Sequence, residues 1–222
     1  KIDYCIVGEP SSHKNFGDMV RVGRRGSING YLTLIGKQGH VAYPELVENP
    51  IHALAPILSG LTAEIWDEGN EYFPPTSFQI SNINSGTGAT NVVPGSLELI
   101  FNLRFSSELT PETIKSRITH IIDQQSDNYE LVWNLSGLPF ITERGELTSA
   151  VKKAIMDVTG LQTELSTGGG TSDGRFIAPY GAQVIELGPI NDTIHKINEC
   201  VSVDDLDTLS ATYQKVLENI LL

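Results

Sequence analysis

The first candidate for chemistry in this sequence is a histidine in a loop. His195 follows an apolar run at 182–187 and a Gly188-Pro189 break, and a helix start comes soon after it. Open α/β sheets place their functional side chains in loops at the carboxyl ends of strands. Upstream, the glycine-rich run 167–174 allows the backbone to approach a ligand closely. We therefore expect these two loops to form a site.

Two chemistries suit these loops. Glu9 follows a buried type of strand, as His195 does, and a carboxylate and an imidazole are both suitable zinc ligands. Alternatively, the run 170–174 matches the G-x-S-x-G nucleophile elbow around Ser172, with Asp192 and His195 following it. The strand before Ser172 is short and Asp192 is almost adjacent to His195, so the serine hydrolase is the less favoured alternative. Spacing alone favours an ordinary surface glutamate and loop histidine.

Several other side chains can be interpreted either as functional groups or as ordinary structural and surface residues. His40 lies in a turn after a strand, where it could donate a hydrogen bond to a developing oxyanion or simply occupy the turn. Arg24 and Arg104 could bind carboxylates in a bidentate manner or lie on solvated strand surfaces. For Cys200, close to His195, we predict a buried structural thiol rather than a metal ligand.

The composition is that of an ordinary globular protein, with 40% hydrophobic and 19% charged residues among 222. The net charge of -12 argues against nucleic acid or anionic lipid as the main partner, although a few arginines can still bind an anionic substrate. Two cysteines are too few for a disulfide framework, and no apolar run is long enough to span a membrane. We expect a cytoplasmic protein.

The elements that must position these residues follow an α/β pattern with an insertion. Between residues 27 and 136 the periodicity predicts strand, helix, strand, strand, helix, strand, with a loop at 86–94 between the second and third strands. This order fits a ferredoxin-like antiparallel sheet with both helices on one face. We predict that residues 1–26 and 140–222 form one α/β domain and that residues 27–139 interrupt it. The inserted domain could dimerise through an edge strand or its exposed sheet.

Capping residues mark the helix starts. Asn49-Pro50 and Thr110-Pro111 each place an N-cap before a proline at the first helical position. Pro56 is expected to kink the first helix or to delay its start, and Ser202 opens a capping-box-like start of the last helix. The chain enters a buried type of strand almost at once and without Met, so we expect it to begin in the middle of a domain.

Four short motifs and two longer runs carry a resemblance to a known family. The short motifs are Val7-Gly8-Glu9-Pro10, Gly36-x-x-Gly39-His40, Thr90-Asn91-Val92-Val93-Pro94 and Asn102-Leu103-Arg104. Together they resemble the co-catalytic zinc aminoacylase and carboxypeptidase family over essentially the whole chain. The longer and more specific runs, 167–176 and 188–199, resemble the desuccinylases of that family.

The resemblance implies a di-zinc amide hydrolase that cleaves N-succinyl-L,L-diaminopimelate to succinate and L,L-diaminopimelate in lysine and cell-wall precursor synthesis. It implies that residues 27–139 form the dimerisation or lid domain and the rest a partial catalytic domain. Glu9 would bind one zinc ion and His195 the other, while His40 would reach across a homodimer and polarise the carbonyl in the partner's site. Substrate contacts are implied for Arg24, Tyr43, Asn91, Arg104, Ser136, Gly170, Thr171 and Asn191.

The sequence departs from the family pattern in one respect. Family members carry a histidine ligand, an aspartate that bridges both zinc ions and a pair of glutamates, whereas this chain has no H-x-D motif and no Glu-Glu pair. We therefore expect this chain alone to be inactive and to bind zinc weakly or not at all. The alternatives are a related acetylornithine deacetylase or dipeptidase, or a fragment that only dimerises.

Overall fold

The computed structural model describes all 222 residues, and the chain divides into two compact units. One unit comprises residues 1–25 and 139–222, and the other comprises residues 26–138. The sequence predicts boundaries at 26/27 and 139/140, and each of these lies one residue after the boundary in the structure. No helix combines the length and the apolar character needed to cross a membrane.

The elements of both units are numbered here in chain order. The strands are β1 (Tyr4–Val7), β2 (Met19–Arg21), β3 (Gly23–Arg24), β4 (Gly26–Ile35), β5 (Gly39–His40), β6 (Ser77–Ser85), β7 (Val92–Val93), β8 (Ser96–Phe105), β9 (Tyr129–Gly137), β10 (Phe140–Ile141), β11 (Glu164–Ser166) and β12 (Gln183–Glu186). The α-helices are α1 (Pro50–Ala63), α2 (Pro111–Asp123), α3 (Glu146–Thr159), α4 (Gly174–Ile177) and α5 (Val203–Leu221), and short 3-10 helices cover Pro44–Leu46 and Ala178–Tyr180.

The unit of residues 26–138 has the predicted ferredoxin-like architecture. Its four long strands form an antiparallel sheet in the order β6-β8-β4-β9. Alternate residues of β4 and β8, such as Leu32 and Phe101, are buried with the apolar stripes of α1 and α2, so both helices cover one face. The other face carries polar side chains, such as Asn29, and exposed apolar ones, such as Tyr31 and Val132. At Gly30, an added Cβ would lie 2.1 Å from the Phe101 ring, so the close contact between β4 and β8 requires glycine there.

The capping residues begin these helices as the sequence predicts, with one correction. The Asn49 side chain accepts a hydrogen bond from Ile51 N (3.0 Å), and the Thr110 hydroxyl accepts one from Thr113 N (3.1 Å). Pro56 does not delay the start of α1, which begins at Pro50. The Asn49 side chain already accepts a hydrogen bond from an N–H of the first turn, so the start of α1 depends on Asn49 and not on Pro56.

The other unit is built on a mixed sheet in the order β1-β12-β2-β11. Two pairs of strands in this sheet are parallel, β1 with β12 and β11 with β2. β12 and β2 are antiparallel and pair at Glu186 and Arg21. α3 and α5 share the core of this unit, and the Tyr213 hydroxyl of α5 donates to Leu187 O at 2.5 Å. Burial raises the pKa of Tyr213. α5 therefore supports the chain at the carboxyl end of β12.

Two local expectations are corrected. α5 begins at Val203 after Ser202, but the Ser202 side chain makes no capping hydrogen bond. Asp204 and Asp205 in the first turn still favour this end of the helix dipole. The segment 86–94 of the other unit, expected to be loop throughout, contains β7, which pairs with β5.

Candidate functional site

Glu9 and His195 each follow a strand, as the sequence predicts, and the structure shows that the two strands are parallel neighbours. Tyr4 to Val7 of β1 pair in register with Gln183 to Glu186 of β12, so both strands end at the same edge of the sheet. The two following loops are in close contact, because a Cβ added at Gly188 would lie 2.3 Å from Glu9 O. This glycine therefore permits the approach of the loop that carries His195 to the backbone of Glu9.

The loop around His195 has an unusual backbone. His195 (φ 59°) and Asn198 (φ 64°) are the two non-glycine residues in the left-handed region, a conformation that costs roughly 1–3 kcal/mol per residue. The His195 N–H donates to Glu199 Oε2 (3.2 Å), and the Thr193 hydroxyl bonds both backbone atoms of Cys200, at 2.8 and 3.1 Å. These bonds fix the backbone of the loop that carries the exposed His195 imidazole.

The prediction of a buried thiol at Cys200 is wrong. Cys200 is exposed, and its backbone bonds to Thr193 close the loop at the surface. The loop also borders a cavity of about 310 Å³, lined on one side by Gly8 and Pro10. Glu9 and His195 themselves do not line this cavity.

The donor set at this edge fits part of a zinc site. Glu9 and His195 supply one carboxylate and one imidazole, both ligand types that zinc accepts. No group of three or more His, Cys, Asp or Glu side chains is placed to hold a metal ion. A structural or catalytic zinc ion takes at least three protein ligands, so these two residues account for only a part of a ligand set.

The glycine-rich loop covers a buried ion pair that the sequence analysis missed. Arg24 lies at the end of β3, and its Nε donates to both carboxylate oxygens of Glu186, at 3.0 and 2.9 Å, while its Nη2 forms a salt bridge with Oε2. The Arg24 Nη1 donates to Gly168 O at 2.8 Å. The side chains are 9% and 1% exposed, respectively, so the positive charge of Arg24 is balanced inside the fold.

Ser172 contributes to the same ion pair and not to a nucleophile elbow. Its hydroxyl is buried and donates to Glu186 Oε1. A nucleophilic serine needs a general base that accepts this proton and an approach for substrate. The hydroxyl of Ser172 instead completes the hydrogen bonds of a buried carboxylate.

The remaining predicted residues of this unit lie on the surface of the two loops. Gly170 is exposed, and an added Cβ there would meet no atom within 4 Å. Thr171 and Asn191 are half-buried, and the Asn191 N–H donates to Ser12 O at 3.1 Å. Their side chains are thus accessible to a ligand.

In the unit of residues 26–138, His40, Tyr43 and Asn91 lie together. His40 pairs with Val92, the neighbour of Asn91, and its ring centroid lies 5.8 Å from that of Tyr43. All three side chains are exposed. His40 Nδ1 accepts a hydrogen bond from Ala42 N at 3.1 Å, which leaves the neutral ring with its proton on Nε2. His40 therefore presents a hydrogen-bond donor to its surroundings.

Arg104 and Ser136 belong to a second polar group on the open face of the same sheet. Arg104 Nε donates to the amide oxygen of Asn102 at 3.1 Å, while Arg104 Nη1 is buried without a hydrogen-bond partner. Asn102 Nδ2 lies 2.9 Å from Asn29 Oδ1, and Asn29 Nδ2 donates in turn to the Ser136 hydroxyl at 3.4 Å. An unmade bond of a buried donor costs about 1–3 kcal/mol, and an anion at Nη1 would recover it.

The two groups of this unit lie toward different ends of its sheet. Arg104 pairs with Ser27 near one end of β8, whereas His40 follows the other end, where Ser96 pairs with Ile35. At about 3.3 Å per residue, Ser96 and Arg104 are separated by roughly 25 Å. The unit therefore presents two separate groups of candidate residues.

Two polar residues that the sequence analysis did not select hold the predicted arginines. Glu186 ends an apolar run, and a carboxylate in such a run signals a buried ion pair. Asn102 lies two positions before Arg104 on an alternating strand, which places both on one face. The sequence thus contained a signal for each of these two residues, but neither signal identifies the arginine that the residue contacts.

Comparison with known proteins agrees with the family resemblance stated from the motifs. Residues 22–130, just under half of the chain, match the peptidase dimerisation domain. The match covers most of the unit that contains the ferredoxin-like sheet.

Two curated relatives match this chain over almost its whole length. It is 62% identical to a succinyl-diaminopimelate desuccinylase of Methylococcus capsulatus, over 99% of this chain and 58% of the relative. The identity to the enzyme of the same name from Acinetobacter baumannii is also 62%, over 100% of this chain and 59% of the relative. The chain thus spans just under three fifths of the length of these relatives.

Solved structures confirm the fold class. A tripeptidase from Staphylococcus aureus superimposes with a TM-score of 0.81 at 21% identity, covering 98% of this chain and 57% of the other. An M20 family metallo-carboxypeptidase from Sulfolobus solfataricus has a TM-score of 0.81 at 16% identity, covering 97% and 63%, respectively. The architecture is therefore that of the M20 peptidases.

Proposed function

We propose that the protein containing this chain hydrolyses N-succinyl-L,L-diaminopimelate to succinate and L,L-diaminopimelate, in the cytoplasm, for lysine and cell-wall precursor synthesis. The observation that carries this proposal is the 62% identity, over essentially all of this chain, to relatives named succinyl-diaminopimelate desuccinylase. Arg104 adds chemical support, because its unpaired Nη1 suits one of the several carboxylates of this substrate.

The reaction would use two zinc ions, with Glu9 a ligand of one and His195 a ligand of the other. Zinc, when bound, would supply Lewis acidity that polarises the amide carbonyl and makes water nucleophilic near neutral pH. The loop bond from the His195 N–H to Glu199 would hold the backbone position from which the imidazole reaches the metal. Further ligands would come from residues outside the pair.

The eight proposed substrate contacts would divide the work of recognition. Arg104 would bind a carboxylate with its free guanidinium edge, and Ser136 would add a hydroxyl from the same face. Arg24 would use the N–H groups that Glu186 and Gly168 leave available. Gly170, Thr171 and Asn191 would contact the substrate from the two loops of their unit, and Tyr43 and Asn91 would accompany His40.

His40 would act in the site of a partner subunit. Its Nε2 proton would donate to the carbonyl oxygen as negative charge develops there. The separation of the His40 group from Arg104 along β8 supports this assignment, because one small substrate does not span both ends of the strand. The homodimer would form through the sheet of residues 26–138, where β6 leaves a nine-residue edge open to pairing.

The first test compares two substrates. The protein, in the longest form that its gene encodes and loaded with zinc, is assayed against succinyl-diaminopimelate and acetylornithine. We expect kcat/KM for the succinyl substrate to be higher by at least about a hundredfold, because acetylornithine lacks the succinyl carboxylate and a second amino-acid end. A preference for acetylornithine would overturn the proposal in favour of the related deacetylase.

A mixed dimer tests the role of His40. Each of the variants His40→Ala and Glu9→Ala is expected to be inactive by itself. A heterodimer of the two would contain one site with an intact Glu9 and the partner's His40, so co-refolding should restore activity. If His40 acted within its own subunit, neither site of the heterodimer would be complete and no activity would return.

A further inference from the structure

Asn102 occupies the centre of the polar group on the open face of the 26–138 sheet. The two N–H groups of its Nδ2 share three acceptors on β4, namely Ser27 Oγ at 3.1 Å, Ile28 O at 3.2 Å and Asn29 Oδ1 at 2.9 Å. Because the nitrogen faces these acceptors, the oxygen of the same amide faces the other way, toward Arg104. Asn102 Oδ1 accepts a hydrogen bond from Arg104 Nε at 3.1 Å. The amide is thus oriented by β4 and in turn orients the guanidinium.

The chemistry of this contact differs from that of an ion pair. An amide oxygen is a neutral acceptor, so it fixes the guanidinium plane without cancelling the charge of Arg104. The contact uses Nε and leaves Nη1, which is buried and has no partner. A buried polar group without a partner calls for an explanation, and a donor reserved for a ligand anion provides one.

We propose that Asn102 is the positioning residue that aims Arg104 at a substrate carboxylate while keeping its charge uncompensated. This inference rests on the proposed function, in which Arg104 binds a carboxylate. Asn102 also connects Arg104 to Ser136, because Asn29 accepts from Asn102 and donates to the Ser136 hydroxyl at 3.4 Å. One amide therefore sets the orientation of two groups that face the same ligand.

The sheet offers a matched control for every substitution of Asn102. Asn29 pairs with Asn102 on one side and with Asn134 on the other, so all three lie in one cross-strand row on the same face. Asn134 is exposed and makes no side-chain hydrogen bond. Changes at Asn134 therefore reproduce the residue type and the added charge without touching Arg104.

The first experiment measures kcat and KM for succinyl-diaminopimelate with the whole, zinc-loaded protein. Asn102→Ala frees the guanidinium, and Asn102→Asp replaces the neutral acceptor by a carboxylate that cancels its charge. We expect KM to rise about tenfold to a hundredfold in both variants, with kcat within about threefold, because the lost interaction is one of binding. Asn134→Ala and Asn134→Asp should keep KM within about twofold of the unsubstituted protein. Equal effects at the two positions would overturn the proposal.

A double-mutant cycle separates positioning from a merely structural role. Arg104→Lys keeps the charge but lacks the Nε–H that Asn102 accepts. In the Arg104→Lys background, Asn102→Ala should therefore change KM by less than about threefold. If the effects of the two substitutions on KM multiply as independent effects do, Asn102 does not act through Arg104 and the inference is wrong.

The same variants distinguish this inference from the proposed function. If the unsubstituted protein does not hydrolyse succinyl-diaminopimelate, the proposed function fails, and binding of succinate is then measured by calorimetry. A loss of about tenfold or more in succinate affinity in Asn102→Asp, but not in Asn134→Asp, would still support positioning of an anion-binding arginine. Unchanged affinity in Asn102→Asp, or no succinate binding by the unsubstituted protein, would overturn it.

Discussion

Arg24 and Arg104 are both arginines at strand positions, yet their surroundings differ in one decisive respect. Arg24 is bound to the carboxylate of Glu186, and a carbonyl oxygen takes its Nη1. Arg104 is bound to a neutral amide, and its Nη1 has no partner. The first guanidinium has its counter-charge inside the fold, whereas the second still needs one. The partner, and not the residue type, thus decides whether a guanidinium already has its counter-charge before a ligand arrives.

The largest expected effect concerns the buried ion pair. Glu186→Ala leaves Arg24 buried without its counter-charge, so we expect the free energy of unfolding to fall by about 3–5 kcal/mol in urea titrations. Replacing both partners, as Arg24→Met with Glu186→Leu, should cost less than the single change, because no unpaired charge remains. Glu164→Ala, at an exposed glutamate of the same unit, should change stability by less than about 0.5 kcal/mol. A loss that small in Glu186→Ala would contradict the structural role of the pair.

Arg104 should show the opposite balance between stability and binding. Arg104→Met removes one hydrogen bond, from Nε to Asn102 Oδ1, together with a donor that has no partner, so the free energy of unfolding should fall by only about 1 kcal/mol. The affinity for substrate, followed as KM, should fall about tenfold to a hundredfold because a charged hydrogen bond is lost. Lys37→Met removes an exposed cation of the same unit and should alter neither quantity. A large loss of stability in Arg104→Met would erase the distinction between the two arginines.

The glycine-rich loop tests how tightly Arg24 is enclosed. Gly169 has a φ of 89°, and an added Cβ would lie 2.5 Å from Arg24 Nη1. Gly169→Ala should therefore lower the free energy of unfolding by roughly 1–2 kcal/mol through the left-handed backbone alone. The matched control is Gly170→Ala, where an added Cβ meets no atom within 4 Å. Equal thermal stabilities of the two variants would contradict the strain expected at Gly169 from its left-handed backbone and its contact with Arg24.

Asp18 extends the comparison to a carboxylate whose partners also lie inside the fold. Its oxygens accept from the backbone N–H groups of His13, Lys14 and Asn15, at 2.7, 2.7 and 2.9 Å. Partial burial by itself would raise the pKa of Asp18, but these hydrogen bonds outweigh it, and the pKa lies below its ordinary value.

The smallest expected effect is that of Asp18→Asn on the free energy of unfolding, and it depends on pH. Asp18→Asn should lower the free energy of unfolding by about 1 kcal/mol at pH 7. Because the pKa is lower in the folded than in the unfolded state, the contribution of Asp18 is present above the unfolded value near 4 and is lost as the pH falls through the folded value. The difference between variant and unsubstituted protein should narrow below about pH 4. Asp173→Asn, at an exposed site, should show no such convergence.

Much of the fold could be predicted because its signals are local. Alternation along β4 and β8, together with the caps at Asn49 and Thr110, predicted the long strands and the first two helices. Errors occurred where local rules compete with tertiary contacts. Cys200 is exposed because its backbone bonds to Thr193 across seven positions, a contact that composition and spacing do not reveal.

The candidate site could be predicted only as a set of residues. Motifs selected Glu9, His195 and both arginines, and the parallel pairing of β1 with β12 then placed the first two at one edge of the sheet. Glu186 and Asn102 were missed because a polar residue in a strand has many candidate partners, and only the strand order and register decide among them.

By itself, the sequence determined the two periodicities, the capped helix starts, the acidic surface and the motifs that carry the family resemblance. Only the tertiary structure decided which arginine is neutralised. Glu186 is 162 positions from Arg24 and reaches it through the β12-β2 pairing, whereas Asn102 is two positions from Arg104 on the same strand face. The energy of a charge depends on what surrounds it in space, and for Arg24 that surrounding comes from the far end of the chain.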